Sequence, residues 1–271
     1  MDVSGYRDAL VGRGLAERTV AEYVKLLRRL AHHAHTAGVP LAELSALDIR
    51  AWADTLPPGW SMRKQAHMTV RHYYRMVGRT DEPWLAVKVP QQPRPRYRGL
   101  EPDDAHTLRD AALLVGGRRG LAVLSGLYTG ARVSEICAFR WDGIEHEAGS
   151  IRWWRTKTQE WHQVPLHPVL GEALRDARRD PRPHVFPGER GREHVATQTV
   201  WQWVRSVGAV VGLHVTPHQL RATAGTTVLE ATKDLDAAAE FLGHRDPSIT
   251  RRHYTRTSAS RLRAAVDALD Y

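Results

Sequence analysis

Three observations predict a mainly α fold with one small β-hairpin sheet, an α+β chain in two domains. Apolar residues recur at helical spacing over most of the sequence, one tryptophan-rich stretch alone has strand character, and one proline-rich basic break has no periodicity. The break, PQQPRPRYRG at 90–99, reads as an extended linker. It leaves a helical domain at 1–89 and a second domain at 100–271, each long enough to bury its own core.

In the first domain the clearest helix is expected to begin near Thr19. Thr19 and Glu22 have capping-box spacing, and Val20, Tyr23, Leu27, Leu30, Ala31 and Ala34 follow at helical intervals. Lys25, Arg28, Arg29, His32 and His33 form the opposite, basic face. No carboxylate or cysteine pattern accompanies His32, His33 and His35, so they predict a solvated or polyanion-facing surface and not a metal site. Shorter helices are expected over 47–56 and 61–77. The second of these carries Arg63, Lys64, Arg71 and Arg75 with Tyr73 and Tyr74, whose packing in the core or against a polyanion is left open.

In the second domain, helices are expected over 101–114 and 118–128. Thr129-Gly130 then breaks the chain, and Arg132 opens a short helix where Ser134 and Glu135 can fix its orientation. SIRWWRT and WHQVPL, within 144–166, are the only convincing strands, and the turn Lys157-Thr158-Gln159 puts Lys157 at a hairpin tip. Helices at 169–179 and 197–211 follow. Thr216 and Pro217 are suited to cap and open the next helix, which sets His218 and Arg221 one turn apart on one face. A helix at 234–242 is expected to stop at Gly243 and leave His244 where the chain reverses. Asp246-Pro247 starts another helix with Tyr254 about two turns in, and 261–269 forms a last amphipathic helix. An arginine, two imidazoles and a phenol suit a phosphodiester: the guanidinium forks onto phosphate oxygens, imidazole moves protons near neutral pH, and the phenol can attack phosphorus.

A net charge of +9 points to a polyanionic partner. The excess is uneven: residues 1–99 hold 16 Lys and Arg against 9 Asp and Glu, and the remainder 23 against 21. The basic first third reads as a clamp for a nucleic-acid backbone. No apolar run is long enough to span a membrane, and the lone Cys137 can form no internal disulfide, so a cytoplasmic protein with a buried structural thiol is expected. No phosphate-binding glycine loop, dinucleotide fingerprint or cysteine-based zinc pattern occurs, and neither cofactor nor metal is expected.

Arg132, Lys157, His218-Gln219-Leu220-Arg221, Leu242-Gly243-His244 and Tyr254, in that order, resemble the motifs of the tyrosine recombinases, or phage integrases. TGARVSEICAFRW is similar to the first arginine box, RTKTQEWHQVPL to the hairpin lysine, HQLR to the His-x-x-Arg box, and LGHRDPSITRRHY to the closing histidine-to-tyrosine segment. One departure is Ala222, where many members carry a histidine. The resemblance implies a DNA core-binding domain at 1–89 and a catalytic domain at 100–271. It also implies site-specific cleavage and rejoining of DNA through a 3′-phosphotyrosyl intermediate. In these roles Arg132 and Arg221 clamp the scissile phosphate, Tyr254 attacks it, Lys157 protonates the leaving 5′ oxygen, His218 transfers protons, and His244 hydrogen-bonds the phosphate. The implied partners are double-stranded DNA, three further copies of the chain in a homotetramer on paired sites, and DNA-bending accessory proteins.

Overall fold

The computed structural model of the protein describes residues 2–92, 99–156, 158–178 and 181–243. Two compact units divide at residues 94 and 95.

The first unit is built from α1 (Val3–Gly12), α2 (Glu17–Thr36), α3 (Ala46–Asp54) and α4 (Trp60–Met76), closed by a 3-10 turn at Pro83–Ala86. Val20, Val24, Leu27, Leu30 and Ala34 bury one face of α2 against Tyr6, Leu10, Ile49, Trp52 and Val70. Each such aliphatic side chain contributes about 1.5–3 kcal/mol on full burial. Lys25, Arg28, Arg29 and His32 stay exposed on the other face. The expected start at Thr19 is corrected: the Ala16 carbonyl already accepts the Thr19 and Val20 amides, at 2.8 and 3.0 Å, so Thr19 lies inside the first turn and cannot cap it. A capping box does open α3, where Ser45 and Asp48 exchange side-chain and backbone hydrogen bonds. Tyr73 and Tyr74 are core residues. The Tyr74 hydroxyl donates to the Leu41 carbonyl at 2.7 Å, and Tyr73 meets Tyr6 edge-on at 5.9 Å.

The second unit holds α5 (Pro102–Val115), α6 (Gly117–Thr129), α7 (Val133–Cys137), α8 (Pro168–Ala177), α9 (Thr197–Val210), α10 (Pro217–Thr232) and α11 (Leu235–Leu242). One antiparallel sheet, in the order β1 (Ile144–Glu145), β2 (Ser150–Arg155), β3 (Glu160–Pro165), completes it. The fold is therefore mainly α with a small sheet, as the sequence predicts. The pairings Ile151 with Val164 and Trp153 with His162 turn one face of the hairpin toward a core that includes Leu121, Ile136, Phe139, Leu170, Val204 and Leu220.

Helix α10 lies at the centre. Every residue from Leu220 to Thr226 is buried, and the small side chains Ala222, Thr223, Ala224 and Gly225 let α6 and α11 pack closely against it. Gly130 ends α6 in a left-handed conformation, φ +59°, and a Cβ there would meet Leu242 at 2.9 Å and Phe241 at 3.1 Å, so only glycine lets α11 approach this closely. Cys137 is fully buried, and burial pushes its thiol pKa up to about 11, which suits a structural thiol. No helix among the described residues is long and apolar enough to cross a membrane.

Candidate active site

Thr216 and Gln219 form a capping box at the start of α10, with Pro217 in the first turn, and this fixes the phase of the helix. That phase buries Arg221, 4% exposed, and leaves His218 exposed. An interior guanidinium needs acceptors to offset desolvation. Arg221 donates from Nη1 to the Gly130 carbonyl and from Nη2 to the Leu242 carbonyl, the second at 2.8 Å. Gly130 stands two residues before Arg132, and Leu242 two residues before His244. A single side chain thus ties three of the sequence motifs together.

Arg132 is the residue before α7, and Glu135 fastens it twice. The carboxylate accepts the Arg132 backbone N–H through Oε2 and its Nη1 through Oε1, both at 2.8 Å. Oε1 also accepts Nε of Arg155 at 3.2 Å. Burial alone opposes ionisation of Glu135, but the Arg132 amide and the Arg132 and Arg155 charges outweigh it and hold the carboxyl below the ordinary glutamate range. Glu135 therefore stays an anion that aims Arg132, whose side chain remains 35% exposed. Ser134 is exposed, and Glu135 carries the orienting role expected of the pair.

The end of α11 is the third component. A helix leaves its last carbonyls without partners inside the helix, at the negative end of its dipole. Here three consecutive carbonyls each meet a basic side chain: Phe241 accepts from His162 Nε2 at 3.0 Å, Leu242 from Arg221, and Gly243 from Arg155 Nη1. Since a carbonyl only accepts, the His162 proton sits on Nε2. Burial, aided by the nearby Arg155 charge and opposed by this hydrogen bond, holds the His162 pKa below the ordinary histidine value, so the ring is neutral. Gly243 adopts φ +59°, and a Cβ there would collide with the Arg155 guanidinium and the His162 ring.

Of the residues named from sequence, Arg132 and Arg221 are thus held in one bonded network, and His218 lies one turn before Arg221 on α10. Lys157, His244 and Tyr254, with the expected helices after Asp246 and at 261–269, lie outside the described residues. Arg155 and His162 escaped the sequence reading. In β2 Ile151, Trp153 and Arg155 alternate as buried positions after the buried first residue Ser150, so a charge at an inward phase of the alternation was the available signal. A cavity of about 930 Å³, lined by Leu127, Tyr128, Leu166, His167, Thr227 and Phe241 among others, includes neither Arg132 nor Arg221. Among the described residues, no group of three His, Cys, Asp or Glu is placed to hold a metal ion.

Comparison with known proteins bears on the family and the fold. The tyrosine recombinase XerA of Pyrococcus furiosus is 30% identical over 226 residues, spanning 81% of this chain and 78% of its own. The tyrosine recombinase XerD of Pseudomonas aeruginosa is 29% identical over 284 residues, spanning 96% of this chain and 94% of its own. A lambda integrase tetramer bound to a Holliday junction shares the fold with a TM-score of 0.70 at 20% identity, over 94% of this chain and 78% of that one. The sequence pattern of the Phage integrase family matches residues 100–261. That match takes in more than half of the sequence and all four motif segments, and the chain belongs to the phage integrase family.

Proposed function

We propose that the protein is a site-specific DNA recombinase that cuts and rejoins DNA strands by transesterification through a 3′-phosphotyrosyl intermediate. The observation that carries this reading is the tie made by Arg221, which joins the first arginine box at Gly130 to the end of α11 at Leu242. Two arginines from motifs far apart in sequence thereby serve one centre, as stabilising charge on both nonbridging oxygens of a phosphate requires.

In the proposed reaction the Tyr254 hydroxyl attacks the scissile phosphorus and His218 takes its proton. The bond from phosphorus to the 5′ oxygen breaks, and Lys157 protonates that oxygen as it leaves. Arg132 and Arg221 offset the charge that builds on the phosphate, and His244 hydrogen-bonds it. The phosphotyrosyl ester conserves the energy of the broken bond. A 5′ hydroxyl from another strand can therefore attack it, release the tyrosine and complete an exchange with no nucleotide cofactor.

In this scheme 1–89 is the core-binding domain, 90–99 the linker and 100–271 the catalytic domain. The partner is double-stranded DNA. Exchange between two duplexes takes four cleavages, so four copies of the chain act together, in keeping with the tetramer found for lambda integrase. DNA-bending accessory proteins are proposed as further partners. The test uses a DNA duplex carrying the recombination site, nicked so that the cleaved end diffuses away. Covalent protein–DNA complex accumulates in the presence of a chelator if the reading is right. Cleavage that stops with chelation, or that leaves no protein attached to DNA, contradicts it.

A further inference from the structure

Arg155 is the most buried charge among the described residues of the second unit, 2% exposed, and it is on a hairpin strand whose other described cation, Arg152, faces solvent. Its Nε is on Glu135, the carboxylate that aims Arg132, and its Nη1 is on the Gly243 carbonyl, the last residue before His244. Glu160, its partner across the hairpin, lies 3.7 Å away. A Cβ at Gly243 would lie in the place of the guanidinium, so Arg155 can occupy this position only because glycine ends α11. From across the sheet His162 binds the neighbouring Phe241 carbonyl and stacks edge-on against Trp153 at 4.9 Å, so both strands of the hairpin are fastened to the end of α11. Arg155 is the last residue of β2, and Lys157 follows two positions later.

We propose that Arg155 is a positioning residue for the leaving-group acid: by fastening the end of β2 to Glu135 and to the Gly243 carbonyl, it fixes the root from which the hairpin presents Lys157. The inference rests on the recombinase reading and adds to it a residue whose role runs through Lys157. Arginine suits the place because the two attachments lie on different nitrogens of one planar fork, a preorganised geometry that the single, freely rotating ammonium of lysine does not reproduce. Misplacing an acid by about 1 Å costs on the order of 100-fold in rate.

The test measures single-turnover cleavage of the nicked substrate by the full-length wild type, Arg155→Lys, Lys157→Ala and the double variant. A second substrate carries a 5′-phosphorothiolate at the scissile bond, whose leaving group needs no acid. Arg155→Lys keeps a positive charge beside Glu135 and is expected to melt within a few degrees of wild type and to bind the site equally well. It should cleave the ordinary phosphodiester on the order of 100-fold more slowly, regain most of that loss on the phosphorothiolate, and add nothing to the defect of Lys157→Ala. A residue needed only for folding would slow both substrates alike and add to Lys157→Ala. Wild-type cleavage by Arg155→Lys, equal losses on both substrates, additivity with Lys157→Ala, or loss of cooperative melting each overturns the proposal. If the wild type itself forms no covalent adduct, the recombinase reading falls and takes this inference with it; if it does and Arg155→Lys behaves otherwise than stated, only the inference falls.

Discussion

Replacing Glu135 by glutamine keeps its volume and removes its charge, and the structure sets what is lost. The carboxylate accepts three hydrogen bonds, from the Arg132 amide, the Arg132 guanidinium and Arg155 Nε, and the last donor belongs to a side chain only 2% exposed. The neutral amide leaves the Arg155 charge in the interior with no anion directly bound beyond the more distant Glu160, and breaking a buried pair from one side costs about 3–5 kcal/mol. With a urea dependence of about 3 kcal/mol per molar, the unfolding midpoint should fall by about 1 M or more at pH 7. The pH dependence gives a second handle. The folded-state pKa of Glu135 is depressed, so its contribution is complete above the ordinary glutamate range and is lost as pH falls through the lower folded value. Urea unfolding followed by tryptophan fluorescence at pH 7 and at about pH 3 reads both effects. The gap between wild type and Glu135→Gln should be wide at pH 7 and close on acidification. Equal midpoints at pH 7, or a gap that stays constant with pH, would refute the assignment of Glu135 as the ionised anchor of the two arginines.

Two further outcomes follow from the same network and one from the basic first unit. Gly243→Ala forces a side chain into left-handed backbone at about 1–2 kcal/mol and into the space of the Arg155 guanidinium, so it should lower the melting temperature and depress cleavage together; a variant that melts and cleaves as wild type contradicts the packing at Gly243. His162 has a depressed pKa, so its stabilising contribution is present above the ordinary histidine value and is lost as pH falls through the folded one; His162→Gln should therefore lose less stability than wild type between pH 7 and pH 5, measured by thermal melts, and an unchanged pH profile counts against a neutral buried ring. A fragment of residues 1–99 should bind duplex DNA without cleaving it, and with about six phosphate contacts its affinity should drop on the order of 1000-fold between 50 and 200 mM salt; salt-insensitive binding removes the backbone-clamp assignment.

Local chemistry made much of the fold legible in the sequence. Thr216-Pro217 and Asp234 cap helices in the structure, Gly243 ends one in the left-handed conformation, and the tryptophan-rich alternation forms the sheet. Thr19 misled because capping-box spacing is a local signal, and here the chain had already turned helical at Glu17. Tyr73 and Tyr74 could not be placed from sequence, since an aromatic between arginines suits either a core or a charged groove until the partner helices are known; Tyr6 and the Leu41 carbonyl decide it. At the candidate site, Arg132 and Arg221 were legible from their helix-opening contexts. The ties among them were not: the bonds of Arg155 and Arg221 to Gly243, Gly130 and Leu242 join residues separated by 88, 91 and 21 positions, and no short-range pattern encodes such pairings.

The most direct measurement for the central claim is to identify the residue that carries DNA. Free tyrosine titrates near pH 10, so attack at neutral pH needs both a proton acceptor and cations nearby, the roles proposed for His218, Arg132 and Arg221. Tyr128, by contrast, is half-buried against His167, and its burial raises its pKa further. After trapping on the nicked site and protease digestion, mass spectrometry of the DNA-linked peptide should place a 3′-phosphotyrosyl bond on Tyr254, and Tyr254→Phe should bind the site and trap no DNA. An adduct on another residue, or undiminished trapping by Tyr254→Phe, would contradict the account.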